Sequence, residues 1–336
     1  MRLTGWSERS MMLNRCAWMP VYRRVLLGAD RRGLAMTETR DVYPLSSPIS
    51  LPEGVAFDAR TRRFFATALM GGQIMEIDAA SGDERVFHTY ATPVQLSGAK
   101  VDEQRRRLWV CVSDISGPVG GVDLFDLDSG ALLQHFDLAR GGICNDVALD
   151  ADGVAYVTDS FQPVIYRVDA RDGGAGEFVR DAQMAAPMGQ FGLNGVVVTP
   201  DDRHVIGGFT SPSKLFITSR TDPQGVREIS LEGEPFAVPN DPHFTGADGI
   251  VFIGEVLYVV NDGGVQQVTF TAKDYSAGRV KSVRAPEGGL TTATVVDGEL
   301  YVIKAEVVRA MHMRMPPNLP FKIYRFARSL FDTTAE

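Results

Sequence analysis

Short apolar runs alternate with polar turns along the chain, and one phrase returns six times. Each copy opens on a small or polar residue, often followed by Gly. An apolar strand, a polar turn and a second strand come next, the pattern of a hairpin. The copies read "PEGVAFDARTRRFFATAL", "SGAKVDEQRRRLWVCVS", "CNDVALDADGVAYVTDS", "LNGVVVTPDDRHVIGGF", "ADGIVFIGEVLYVVND" and "TTATVVDGELYVIKA". Their strands start at Glu53, Gly98, Asn145, Asn194, Asp248 and Thr292, in steps of 45, 47, 49, 54 and 44 residues. A third strand follows most copies, as in "GQIMEIDAASG" and "PVIYRVDARDG", and a fourth fits before the next copy, as in "ERVFHTY".

Four short antiparallel strands per unit at this period predict an all-β fold, a six-bladed β-propeller. No unit can bury its apolar faces alone, so the blades must pack around an axis. The last unit ends on "KIYRFA", its third strand, and "DVYPLSS" at residues 41 to 47 is expected to supply the fourth. That closure ties the chain ends together and removes an exposed edge. Little helix is expected; "AQMAAPMG" is weakly helical, and Pro187 and Gly189 favour a loop. Residues 305–320 read as a long connection inside the last blade.

Composition agrees with many short strands: 34 Gly and 18 Pro in 336 residues. A net charge of -8 excludes a nucleic-acid surface from the expected partners. No stretch approaches a membrane span, and a small-molecule substrate is the expected partner. Residues 1–40 are Arg-rich and poor in acids, and read as a poorly ordered tail before a propeller spanning 41–330 and a short tail over 331–336. A true start at Met36 and a transit peptide are the alternatives for that segment. Cys16, Cys111 and Cys144 have no CxxC or zinc-type spacing. A sparse, odd set fits a reduced, cytoplasmic protein, with Cys111 and Cys144 buried and inert.

The first strand of each propeller blade lines the axis, so the six starting residues form a ring at one mouth of the channel. Four of them, Glu53, Asn145, Asn194 and Asp248, carry side-chain oxygens from carboxylates and amides. Asn-Gly, Asn-Asp and Asp-Gly pairs are ordinary turn chemistry. Here they recur at the same point of consecutive units, which turn residues need not do. Two carboxylates crowded in a channel repel, and a cation resolves the conflict. An all-oxygen set without His or Cys suits a hard divalent ion, Ca²⁺ first, with Mg²⁺, Mn²⁺ and Zn²⁺ as alternatives.

At these residues the chain resembles the regucalcin/gluconolactonase (senescence-marker) family of six-bladed propellers, over about residues 45 to 328. The resemblance implies a divalent ion held by Glu53 in "PEGVAF", Asn194 in "LNGVVV" and Asp248 in "ADGIVF", with Asn145 in "CNDVAL" contributing to the site or its water. It implies a lactonase-type hydrolase in which Asp248 is ligand and general base together. Two departures stand out. The sugar lactonases of the family have an Arg where this chain has Ile143, which favours a more apolar substrate. The related paraoxonases have a His where this chain has Ser97-Gly98. Strictosidine synthase shares the architecture and uses a Glu without metal; Glu287 is the residue to consider for that role, and the retained ligand set speaks against it.

The end of strand two returns to the same mouth, which would bring Met70, Asp114, Asp159, Asn261 and Lys304 to the rim. Asp159 and Asn261 either orient water or substrate or are strand-end turn residues. Lys304 either binds a substrate oxygen or is a solvated rim charge. In "QMAAPMGQFG", Met184, Met188 and Phe191 either wall an apolar pocket or pack in the core. His243 is a candidate proton shuttle or a plain loop residue. No P-loop, GxGxxG, HExxH or GxSxG is present. Two functions remain open: a metal-dependent lactonase, and a non-catalytic binding propeller that keeps the ion for structure.

Overall fold

The computed structural model describes residues 39–46, 51–114, 119–233, 246–311 and 317–332. These build six small antiparallel sheets, the blades of the expected propeller. The innermost strands are Pro52–Asp58, Val94–Asp102, Cys144–Leu149, Leu193–Val198, Ile250–Ile253 and Leu290–Val296.

Side-chain alternation explains the packing, because successive residues of a strand face opposite sides of the sheet. In the first blade, Val55, Phe57, Phe64 and Ala66 face the last blade and cluster with Tyr301, Ile303 and Ile323. Ala56 and Phe65 face the second blade and cluster with Leu96, Val110 and Phe125. The other apolar clusters straddle the remaining blade pairs in the same way. Inner strands are therefore buried on both faces, as throughout Pro52–Asp58, while the outer strand Glu84–Thr89 is half exposed.

Strand Val42–Leu45 pairs antiparallel with Phe321–Phe326 and completes the last blade, as the sequence predicts. Tyr43 anchors it: the buried hydroxyl donates to Ala79 O at 2.7 Å and accepts from Arg40 N at 2.8 Å. Most of the 1–40 segment lies outside the described residues. At the other end, Phe331 is buried against Tyr258 and Phe326 rather than starting a tail.

Three details depart from the expected pattern. The fourth blade has a two-residue outer strand, Arg227–Glu228, after which Ser230–Glu232 runs parallel to Ala277–Arg284 and adds a fifth strand to the next blade. Residues Val307–Met311 form a short helix within the last connection. Cys111 and Cys144 are not free thiols; they form a disulfide between the second and third blades, with Cα atoms 5.2 Å apart. The strands holding them are neighbours across the blade interface, so burial brought the sulfurs together. The disulfide removes the cysteine argument for a reducing compartment. No helix of the described residues is long and apolar enough to cross a membrane.

Candidate functional site

Five inner strands carry a register shift at the same place: Pro52/Val55, Leu96/Ala99, Cys144/Val147, Leu193/Val196 and Leu290/Ala293. The shift sets which residues are equivalent around the axis. They are Glu53, Ser97, Asn145, Asn194, Asp248 and Thr291, and all six line one cavity of about 300 Å³. In blades two and six the ring member is thus Ser97 rather than Gly98, and Thr291 rather than Thr292. Gly98 and Thr292 belong to the next tier, which lines a second cavity further along the axis with Lys100 and Asp146.

Glycine in that next tier lets the blades close on one another. A Cβ on Gly54 would lie 2.3 Å from Ser97 O, and one on Gly195 would lie 2.4 Å from Asp248 O. The backbone at the ring is stitched from blade to blade. Thr67 Oγ1 donates to Ser97 O (2.6 Å), Ser97 Oγ to Cys144 O (2.8 Å), and Ser160 Oγ to Leu193 O (2.8 Å). Gly195 N donates to Asp248 O (2.9 Å), Gly249 N to Thr291 O (2.9 Å), and Thr291 Oγ1 to Glu53 O (2.9 Å). The hydroxyls of Ser97 and Thr291 therefore serve the ring's own backbone.

The other four members are placed differently. Asn145 Nδ2 donates to Ser160 Oγ at 2.8 Å, and Asn194 Nδ2 donates to Thr210 Oγ1 at 3.1 Å. Ser160 and Thr210 have committed their single protons, to Leu193 O and to Ala247 O (2.9 Å), so each can only accept from the amide. That fixes both amide orientations. Each Asn keeps its carbonyl Oδ1 to offer the cavity, and the Asn194 amide also hydrogen-bonds the Asp248 carboxylate.

Two carboxylates complete the set. Glu53 is pushed well above the usual carboxylate range, first by burial and then by the charges of Asp248 and Asp146. Asp248 is pushed up by burial and then by Asp146 and Asp262, with Asn194 working in the opposite direction. Asp146 is itself raised to about 6 by burial, against hydrogen bonds from the Val196 and Val147 backbone. Two amide carbonyls and two carboxylates that resist ionising without a counter-charge are donor chemistry that fits a hard divalent cation. Among the described residues no cluster of three or more His, Cys, Asp or Glu is arranged for a metal. The soft or borderline ligand sets that favour zinc are thus not found in that part of the chain.

Several rim expectations are corrected by the register. Cys144 pairs with Asp159, Leu193 with Phe209 and Leu290 with Lys304, and the residue after each partner lies one step further toward the mouth, as where Ser160 N donates to Ile143 O and Thr210 N to Gly192 O. Those residues include Leu69, Ser113, Ser160, Thr210 and Asp262, and all of these but Ser160 line the cavity. Asp159 instead ties a loop, its Oδ1 accepting from Ile143 N (3.1 Å), Phe161 N (2.9 Å) and Gln162 N (3.0 Å). Asn261 Oδ1 accepts from Gly263 N at 3.2 Å, a turn contact. Lys304 is buried, not solvated: it donates to Asn318 O at 2.5 Å and pairs with Glu306 at 3.3 Å. Glu287 pairs with Lys322 and Lys304 and is not a cavity residue. Phe191 does line the cavity, its ring 5.2 Å from that of Phe161. Met184 packs in the core beside Leu193 and Phe209, and Met188 is fully exposed. His243 lies outside the described residues.

No protein-family model matches the chain, and no curated protein matches it in sequence. Solved structures do match in fold. A gluconolactonase from Xanthomonas campestris is 17% identical, with a TM-score of 0.58 over 85% of this chain and 89% of that one. A calcium-binding protein, regucalcin, from Agrobacterium tumefaciens is 18% identical, with a TM-score of 0.59 over 85% of this chain and 92% of that one. A luciferin-regenerating enzyme is 12% identical, with a TM-score of 0.60 over 84% of this chain and 94% of that one. The shared feature at these identities is the propeller fold.

Proposed function

We infer that the protein is a metal-dependent hydrolase of the lactonase type, with Glu53, Asn145, Asn194 and Asp248 holding a divalent ion, Ca²⁺ first, at the axis. The observation that carries this reading is the orientation of the two amides. Ser160 and Thr210 have no proton left to give, so neither donates to an Asn carbonyl, and both carbonyls are available to a cation. The gluconolactonase and regucalcin among the fold neighbours support the choice of a cyclic ester and of calcium.

A divalent ion bound there supplies Lewis acidity to a carbonyl oxygen and a more acidic water. The protein's own part is proton transfer and positioning. Asp248 is buried at the cavity floor, where it can take the proton of an attacking water. The water oxygen bonds to the lactone carbonyl carbon, the ring C–O bond breaks, and the proton returns to the departing alkoxide, giving a hydroxy acid. Leu69, Ile143, Phe161 and Phe191 wall the cavity and limit bulk water around the reacting ester.

Chelated protein should hydrolyse lactones only after metal is added back, and Asp248→Ala should lose at least about a hundredfold in turnover. Near-normal turnover by Asp248→Ala would remove the enzyme assignment from this residue. If chelation lowers the melting temperature but no lactone is turned over with any metal, the protein is instead a binding propeller with a structural ion.

A further inference from the structure

The cavity above the ring has a polar floor and apolar walls. Its described apolar lining includes Leu69, Ile143, Phe161, Phe191, Val307 and Val308. These come from blade one, the approach to blade three, the turn after its second strand, the loop before Asn194, and the short helix of the last blade. Apolar side chains therefore surround the floor from separate elements rather than from one patch. The charged lining groups are Glu53, Asp248 and Asp262, and no Lys, Arg or His is among the described lining residues. Apart from an ion held at the floor, an anionic substrate would meet no cationic side chain on the described lining, and beyond the ring a polyhydroxylated one would find few polar partners, Gln95, Ser113, Thr210 and Asp262.

The apolar surface also continues outward. Phe161 lines the cavity yet is 47% exposed, so its ring reaches from the interior to the rim. Phe161 and Phe191 stand 5.2 Å apart and form an aromatic corner. A volume of about 300 Å³ is at the small end for ligand sites and suits one small ring with a short arm.

We propose that the substrate class is an uncharged lactone bearing an alkyl arm, the ring held at the oxygen floor and the arm laid along Phe161 and Phe191 toward the rim. This deepens the lactonase reading and rests on it for the ring, but not for the arm. Each added methylene that leaves water for this wall should tighten binding roughly fourfold, until the cavity is filled. The gain should fall on KM rather than kcat, because the arm is remote from the reacting carbonyl.

The test is a homologous series of γ-alkyl butyrolactones against gluconolactone, on metal-loaded protein. A matching series of alkyl γ-lactams, which resist hydrolysis, is measured by calorimetry. The expected result is a KM that falls about fourfold per methylene, lactams that tighten in step, and a shallower slope in Phe191→Ser. Phe161→Ser serves as the second variant should Phe191→Ser not fold. Hydrolysis of gluconolactone without any gain along the alkyl series would overturn the alkyl assignment and leave the lactonase standing. Lactams that tighten while no lactone is cleaved would keep the apolar ligand and overturn the lactonase. Lactams that bind with no dependence on chain length would overturn the alkyl arm directly.

Discussion

Asn194 Nδ2 donates to Thr210 Oγ1 at 3.1 Å, and Thr210 Oγ1 donates onward to Ala247 O at 2.9 Å. One hydroxyl thus joins the fourth blade to the fifth and at the same time decides which end of the Asn194 amide meets the cavity. Thr210→Val keeps the shape and removes both bonds. The amide then keeps only its contact with Asp248 and can turn its NH₂ toward the site, where it cannot bind a cation. Groups that orient metal ligands typically contribute about 10–100-fold to affinity. Calcium affinity of Thr210→Val, measured by competition with a chelator, should fall by that order while the melting temperature of the chelated protein changes little. Unchanged affinity would mean that Asn194 is not a ligand.

The blade count and the four oxygen-bearing ring members were legible because they recur in phase with the apolar runs. The residues beside them were misjudged by one position. "VTDS" was read for Asp159 when Ser160 orients Asn145, and "VVND" for Asn261 when Asp262 lines the cavity. A single-residue offset in a strand reverses the face of every side chain, and five of the inner strands carry a register shift at the ring itself. A bulge leaves no mark in apolar spacing, so strand periodicity alone could not locate these positions. The Cys111–Cys144 bond was hidden for a related reason. The two residues are 33 apart in sequence and meet only because the second and third blades stack.

That disulfide closes a loop whose chain-entropy contribution is about 3–4 kcal/mol. Replacing both cysteines by Ala should lower the urea midpoint accordingly. Cys144 also precedes Asn145, and its carbonyl accepts the Ser97 hydroxyl at 2.8 Å. Calcium affinity should therefore fall in the same variant, measured below its melting range. A variant that melts as the parent does would show that the blades hold this interface without the bond.

Closure of the ring through Val42–Leu45 makes a second stability prediction. Tyr43→Phe leaves Ala79 O without its buried donor and should cost about 1–2 kcal/mol in urea unfolding. Removing the chain through Leu45 strips the partner from Phe321–Phe326 and exposes a sheet edge. That variant should aggregate on size-exclusion chromatography at concentrations where Tyr43→Phe remains monodisperse. Equal behaviour of the two would mean that the last blade does not depend on its fourth strand.

The two floor carboxylates give the metal-free protein a pH dependence of defined sign. Glu53 and Asp248 both lie well above the usual range, mainly through burial. The unfolded chain releases these protons near pH about 4, while the folded chain still holds them. The folded state therefore binds more protons, and stability falls as pH rises from about 4 through the folded-state values. A bound cation takes over the protons' role, so calcium should raise the melting temperature more at pH about 8 than at pH about 5. Glu53→Gln removes one of the two groups and should flatten the slope of the chelated protein in a melting series across that range. A slope identical to the parent's would show that Glu53 ionises freely in the fold and is not held beside Asp248.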